Sequence, residues 1–240
     1  MPIKLRKRYR GANMKNVRQP IYETLLIGTL LAGVGGYLDA YTYILHNEVF
    51  ASLQSGNVIL LGLNLANGHF AKAITYIIPI FCFTLGAGLA NLVEQFFHRP
   101  GAVIWQELSI IAELVGILII DLFIGYIPGS FITSGLSLFA AFQVHTFRVM
   151  NNHPYNTTMT TGNLRTVGAA SLNLLFRRGK LTTNWILLRD SFWVATSFGI
   201  GAFISTKLTN AIGPQALLGS VLILIFVLIL MIWDQRGGTA

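Results

Sequence analysis

Two short polar triplets, each set at the start of an apolar stretch, are the first places in this chain where residue type and spacing could do chemistry. Ser55-Gly56-Asn57 opens an apolar helical run that stops at Asn67-Gly68, and Thr161-Gly162-Asn163 opens a second, ending near Leu175. Each run is too short to cross a bilayer, which takes about 20 apolar residues. The first turn of any helix carries unpaired N–H groups and a partial positive charge. Inside a membrane those groups must meet protein, water or a solute. Ser55 and Thr161 are natural N-cap residues. Gly56 and Gly162 permit close backbone approach, and Asn57 and Asn163 each bring an amide that donates and accepts. Two such ends facing each other near the midplane would form a polar, mildly anion-attracting substrate site of the kind secondary transporters use. The competing reading is that these small residues serve close helix packing.

Ionisable residues within apolar runs are the second source of chemistry. Asp39, in GGYLDAY, lies most of the way through the first run, and a carboxylate inside a membrane is a functional candidate by default. A hydrogen-bonded side chain close to the interface is its structural alternative. Glu113 and Asp121 share a later run. Eight residues apart on a helix, they diverge by roughly 80° and could line one broad face. Arg165, two residues past the second triplet, is either a partner for a buried carboxylate or a side chain that snorkels to water. Asp39, Glu113, Asp121 and Arg165 are therefore the candidates for ion or proton coupling. The second-half region comparable to Asp39 reads FAAFQVHTF, with Gln143 and His145 but no acid. No metal ligand set and no cofactor are expected. The chain has no H-E-x-x-H, no G-x-S-x-G, no phosphate loop and no His/Cys cluster of metal spacing, so an enzyme is not expected.

The elements that must hold these residues follow from composition. Of 240 residues, 53% are hydrophobic and 11% charged, against about 25% charged in soluble domains. Apolar runs of spanning length occur at Glu23–Leu45, Ile74–Phe97, Trp105–Ile127, Phe131–Met150, Asp190–Leu208 and Ala216–Trp233. The expected fold is all-α: a polytopic transmembrane bundle of about six spans plus the two short helices, which either re-enter or are broken. The single Cys82 excludes an intramolecular disulfide. Asn156-Thr157-Thr158 matches the short N-glycosylation pattern.

The pattern is duplicated. Gly56 and Gly162 are 106 residues apart, the Gly86/Gly88 pair answers Gly199/Gly201, and a plain aliphatic run follows each pair. Residues 1–20 then form a basic cytoplasmic tail, 21–127 a first membrane repeat and 128–235 a second. If the short helices re-enter, each half has three crossings and the repeats are inverted. If they cross fully, the halves have four crossings each and are parallel. Re-entry is favoured. It places Lys72 outside and Arg99 inside, and full crossing reverses both.

The net charge of +8 is concentrated before the first span, in Lys4, Arg6, Lys7, Arg8, Arg10, Lys15 and Arg18. This is a topology signal that holds the N-terminus in the cytoplasm. The C-terminus is expected there too. The same residues can touch anionic lipid. No nucleic-acid motif accompanies them, and none is expected as a partner.

Over GGYLDAYTYILHNEVFASLQSGNVILLGL the chain resembles the YoaK-type family of uncharacterised bacterial multi-span membrane proteins, a domain of unknown function. The matching residues are Gly36, Asp39, Ala40, Ser55, Gly56, Asn57, Leu61 and Gly62, then Gln143, Thr161, Gly162, Asn163 and Leu164. Val144 and His145 depart from the family's Asn-Ala. The resemblance implies about six spans in a bacterial cell membrane and brings no substrate. The residues themselves point to a small-solute permease. The alternative is a non-transporting scaffold, sensor or assembly partner.

Overall fold

A computed structural model describes residues 19–97 and 104–237. It is almost entirely helical. Helix α1 runs Leu25–Leu45, α2 Gln54–Ala66, α3 Phe70–Phe97, α4 Ile104–Leu122, α5 Gly129–Thr146, α6 Thr160–Leu175, α7 Leu181–Ile212 and α8 Leu218–Gly237. Among the described residues the only strands are Val149–Met150 and His153–Pro154, a hairpin turned by Asn151 and Asn152 with φ of 48° and 64°. The basic stretch over residues 1–18 and Arg99, both read above for topology, lie outside the described residues.

Element boundaries follow local chemistry. α4 ends at Leu122 rather than Ile127, because the chain turns through Gly125 at φ 91° and Pro128 then fixes the start of α5. α5 stops at Thr146 rather than Met150, where the hairpin begins. α7 begins at Leu181, nine residues before the apolar run, since helical hydrogen bonding continues through the polar Thr-Thr-Asn segment. It ends where Gly213 adopts φ 66°.

Three helical stretches are long and apolar enough to cross a membrane: Leu25–Leu45, Phe70–Phe97 and Leu181–Gln235, the last being α7, a short 3-10 turn and α8. α4 and α5, also expected as spans, fall outside this set. Glu107, Glu113 and Asp121 in α4 and the Ser, Thr, Gln and His of α5 lower their apolar character. They nevertheless lie in the bundle centre. Leu31 and Leu38 of α1, Ile110 and Ile117 of α4, Leu136 of α5 and Leu224 of α8 form one buried core. The outer helices present Ile59, Phe81, Trp185 and Phe203 outward, as a lipid-facing surface does.

Packing repeats across the two halves by exchange. The first helix of each half lies along the Gly-bearing helix of the other: α1 on α7, and α5 on α3. Each short helix packs on the helix that follows it, α2 on α3 and α6 on α7. The halves are inverted. The first residue of α5, Gly129, abuts the His46 ring just past the end of α1, so these two equivalent helices run oppositely. Other contacts agree. The Tyr41 hydroxyl donates to the Pro214 carbonyl at that same face, while the Ile21 N–H donates to Asp234 and Gln235 to Glu107 at the face holding both ends of the described chain.

Glycine permits the two long crossings. A Cβ on Gly36 would overlap the Phe198 carbonyl, one on Gly201 the Gly33 carbonyl, and one on Gly86 the Leu138 carbonyl. Gly88 and Gly199 face open space. The structural counterparts are therefore Gly86 and Gly201, two residues out of register with the motif alignment that matched Gly86 to Gly199.

Candidate functional site

The first short helix is set by the loop before it. After α1 the chain reverses at Asn47 and Glu48, both with positive φ, and climbs back along the helix. The Ser52 and Leu53 N–H groups then donate to Asp39 Oδ1 at 2.6 and 3.3 Å, and Ser52 Oγ donates to Oδ2 at 2.8 Å. Asp39 lies six residues before the end of α1, so the loop has risen by roughly 9 Å before α2 starts. α2 then descends, the chain turns at Asn67-Gly68, and Lys72 Nζ reaches the Glu48 carboxylate at 2.6 Å. The segment enters and leaves at one face, which is the re-entrant arrangement.

The second short helix repeats this construction 106 residues on. Asn57 Nδ2 donates to the Phe50 carbonyl at 2.8 Å, and Asn163 Nδ2 donates to the Asn156 carbonyl at 2.9 Å. Phe50 and Asn156 are themselves 106 apart. The N–H groups of Thr158 and Met159, which match Ser52 and Leu53, donate to Asn156 Oδ1 at 2.9 and 3.1 Å. One half thus terminates its buried helix start with a carboxylate from the neighbouring helix. The other uses an amide from its own loop. The residue matching Asp39 is His145, whose Nε2 lies 2.9 Å from Glu94, with Arg148 2.9 Å from the same oxygen.

Several expected roles are corrected. Ser55 and Thr161 are not N-caps: the helices begin at Gln54 and Thr160, behind Leu53 and Met159, whose own side chains make no cap bond. Ser55 and Thr161 are exposed in the first turn. Asn57 and Asn163 are buried and turned to their own loops. Asn57 is the more saturated, since its Oδ1 also accepts the Phe50 N–H at 2.9 Å and its Nδ2 also meets Gln54 at 2.9 Å. Gly56 lets the Phe50 ring approach closely, whereas nothing crowds Gly162. The two breaks do not face each other. They pack on different helices and begin near opposite faces of the bundle, because the repeats are inverted.

Among the coupling candidates, Asp39 is buried and bonded as above. Glu113 is fully buried with neither oxygen hydrogen-bonded. α4 and α5 run antiparallel, with Ser109 bonded to Thr146, Gly116 against Phe139 and Gly135 against Ile120. That register sets Glu113 level with Phe142 and Gln143. The Gln143 Oε1 also lacks a partner, while its Nδ-equivalent amide, Nε2, donates to the Leu31 carbonyl. Asp121 is half-buried at the last turn of α4, and Arg165 is exposed. Thr157 and Thr158 are buried, so the glycosylation-like triplet serves the loop instead.

Ser52, Phe50 and Glu94 escaped the sequence reading, and Asn156 entered it only as part of the glycosylation-like triplet. An Asn two residues before a Thr at a helix start carried an Asx-turn signal. The contact of Asp39 with residues 13 and 14 positions later had none.

Beside Asp39 a cavity of about 310 Å³ opens between α1 and α7, lined by Asp39, Ala40, Tyr43, Phe50, Phe198 and Ala202 among others. The Tyr43 and Phe50 rings stack at 5.1 Å. Fold and site together define an all-helical protein with three stretches long and apolar enough to cross a membrane, and two short helices whose starts are tied to their own preceding loops. The chain belongs to the family described as protein of unknown function DUF1275, whose profile matches residues 27–230. No curated protein and no solved structure matches it.

Proposed function

We propose that this chain, a protein of the YoaK type in the bacterial cytoplasmic membrane with both termini cytoplasmic, is a small-solute transporter working by alternating access. The observation that carries this reading is the exchange packing of inverted repeats, with one re-entrant helix starting near each face. Rocking one Gly-mediated crossing, α1 on α7, against the other, α5 on α3, would open one re-entrant segment as it closes the other. Asp39 at the outer break and the unpartnered Glu113 at the centre are the groups placed to carry a coupling proton. The basic tail would hold anionic lipid at the cytoplasmic face.

The test is cysteine accessibility in a Cys82→Ser background. Single cysteines at Ser55, Gly56 and Ala40 should react with impermeant thiol reagents from outside, and those at Thr161 and Gly162 from the cytoplasm. Absence of reaction from both sides would favour a scaffold. The saturation of Asn57 by its own loop is the observation on that side.

A further inference from the structure

The cavity beside Asp39 carries a chemical signature of its own. Apart from the carboxylate and Thr206, its walls are mostly apolar: Gly36, Ala40, Ile44, Leu53 and Ala202, with Tyr43, Phe50 and Phe198 contributing three aromatic rings. Asp39 accepts hydrogen bonds from its own loop, at Ser52 and Leu53 with the Ala51 N–H also turned to it, and among the described residues no Lys, Arg or His pairs with it. Its counterpart in the other half is the opposite case, a histidine set against Glu94 beside Arg148. A buried charge with no partner of opposite sign is costly. A ligand bringing positive charge into this cavity relieves that cost, and the face of an aromatic ring attracts the same charge.

We propose that this cavity binds a lipophilic organic cation, an ammonium group carrying a compact apolar body, and that this is the substrate class of the transporter proposed above, on which only that last clause rests. An anion would meet the carboxylate. A hard metal cation needs six or more oxygens, which these walls do not supply. A neutral hydrocarbon fits the walls but leaves Asp39 uncompensated. The volume is at the small end of ligand pockets, which suits one substituted ammonium. The ammonium could belong to a free solute or to a lipid headgroup.

The probe is radiolabelled benzyltrimethylammonium, measured by equilibrium dialysis against the full chain in nanodiscs of phosphatidylglycerol, a lipid without an ammonium group. Saturable binding of one probe per chain is expected. Neopentylbenzene, its uncharged isostere, should fail to displace it. Asp39→Asn should weaken binding at least tenfold while keeping the fold, because Asn156 already accepts the equivalent pair of N–H groups with an amide oxygen. Ala202→Phe, which puts a ring into the cavity from α7 and leaves the carboxylate in the sequence, should abolish binding, and it decides the matter alone if Asp39→Asn does not fold. Unsaturable binding, displacement by neopentylbenzene, or affinity unchanged in either folded variant overturns the site. Displacement by added phosphatidylcholine would identify the headgroup as the source, and its absence a free solute. Probe binding without two-sided thiol labelling leaves the site standing and removes transport. Two-sided labelling without probe binding does the reverse.

Discussion

Replacing Asp39 separates its work as a helix terminator from its charge. In Asp39→Ala the Ser52 and Leu53 N–H groups lose their acceptor in a loop where Ala51 and Ser52 are buried. A buried donor left unpaired costs about 1–3 kcal/mol. The Leu53 bond is long at 3.3 Å, so the sum is about 3 kcal/mol. For a chain of this size that is roughly 6–12 °C in Tm, at about 2–4 °C per kcal/mol. Asp39→Asn keeps one oxygen in place for both N–H groups and gives up only the second contact with Ser52 Oγ, at a cost of about 1 kcal/mol or less. The assay is thermal unfolding of the purified protein followed by a thiol-reactive dye at Cys82, with membrane abundance measured in parallel. Asn156→Ala should reproduce the loss seen in Asp39→Ala, since it orphans the matching pair at Thr158 and Met159. Equal destabilisation by Asn and Ala at position 39 would refute the capping argument and make the charge itself the stabilising element.

Asn57→Ala should destabilise more than Asn163→Ala, by about 1–2 kcal/mol, because Asn57 satisfies both the N–H and carbonyl of Phe50 whereas Asn163 serves one carbonyl. The same unfolding assay checks it, and equal losses would contradict it. Gly201→Ala and Gly86→Ala should each cost about 1–3 kcal/mol through overpacking, and Gly199→Ala and Gly88→Ala should cost little, as read from folded yield in the membrane. Cysteines at Glu48 and Lys72, in a Cys82→Ser background, should be joined by a short bifunctional maleimide. A chain in which α2 crossed the bilayer would give no such product.

The helical membrane class was legible in the sequence because it rests on local quantities, apolar run length and scarcity of charge. The repeated motif was legible for the same reason: Ser55-Gly56-Asn57 and Thr161-Gly162-Asn163 are local signals, and their spacing of 106 also relates Phe50 to Asn156 and Ser52 to Thr158. What the sequence could not reveal depends on which helix faces which. Nothing near Asp39 announces that Ser52 will fold back onto it, and nothing in the two glycine pairs says that Gly86 and Gly201, not the aligned Gly199, meet a neighbour's carbonyl. Ser55 and Thr161 have the chemistry of caps, yet the helices start two residues earlier, behind Leu53 and Met159, where the oxygens of Asp39 and Asn156 accept the loop N–H groups. The inverted orientation of the halves likewise became definite only through contacts such as Gly129 with His46 and Lys72 with Glu48. Residue type and period determined what each segment could be. Long-range packing decided which of their polar groups satisfy one another and that Asp39, hydrogen-bonded but without a cationic partner among the described residues, is left lining a cavity.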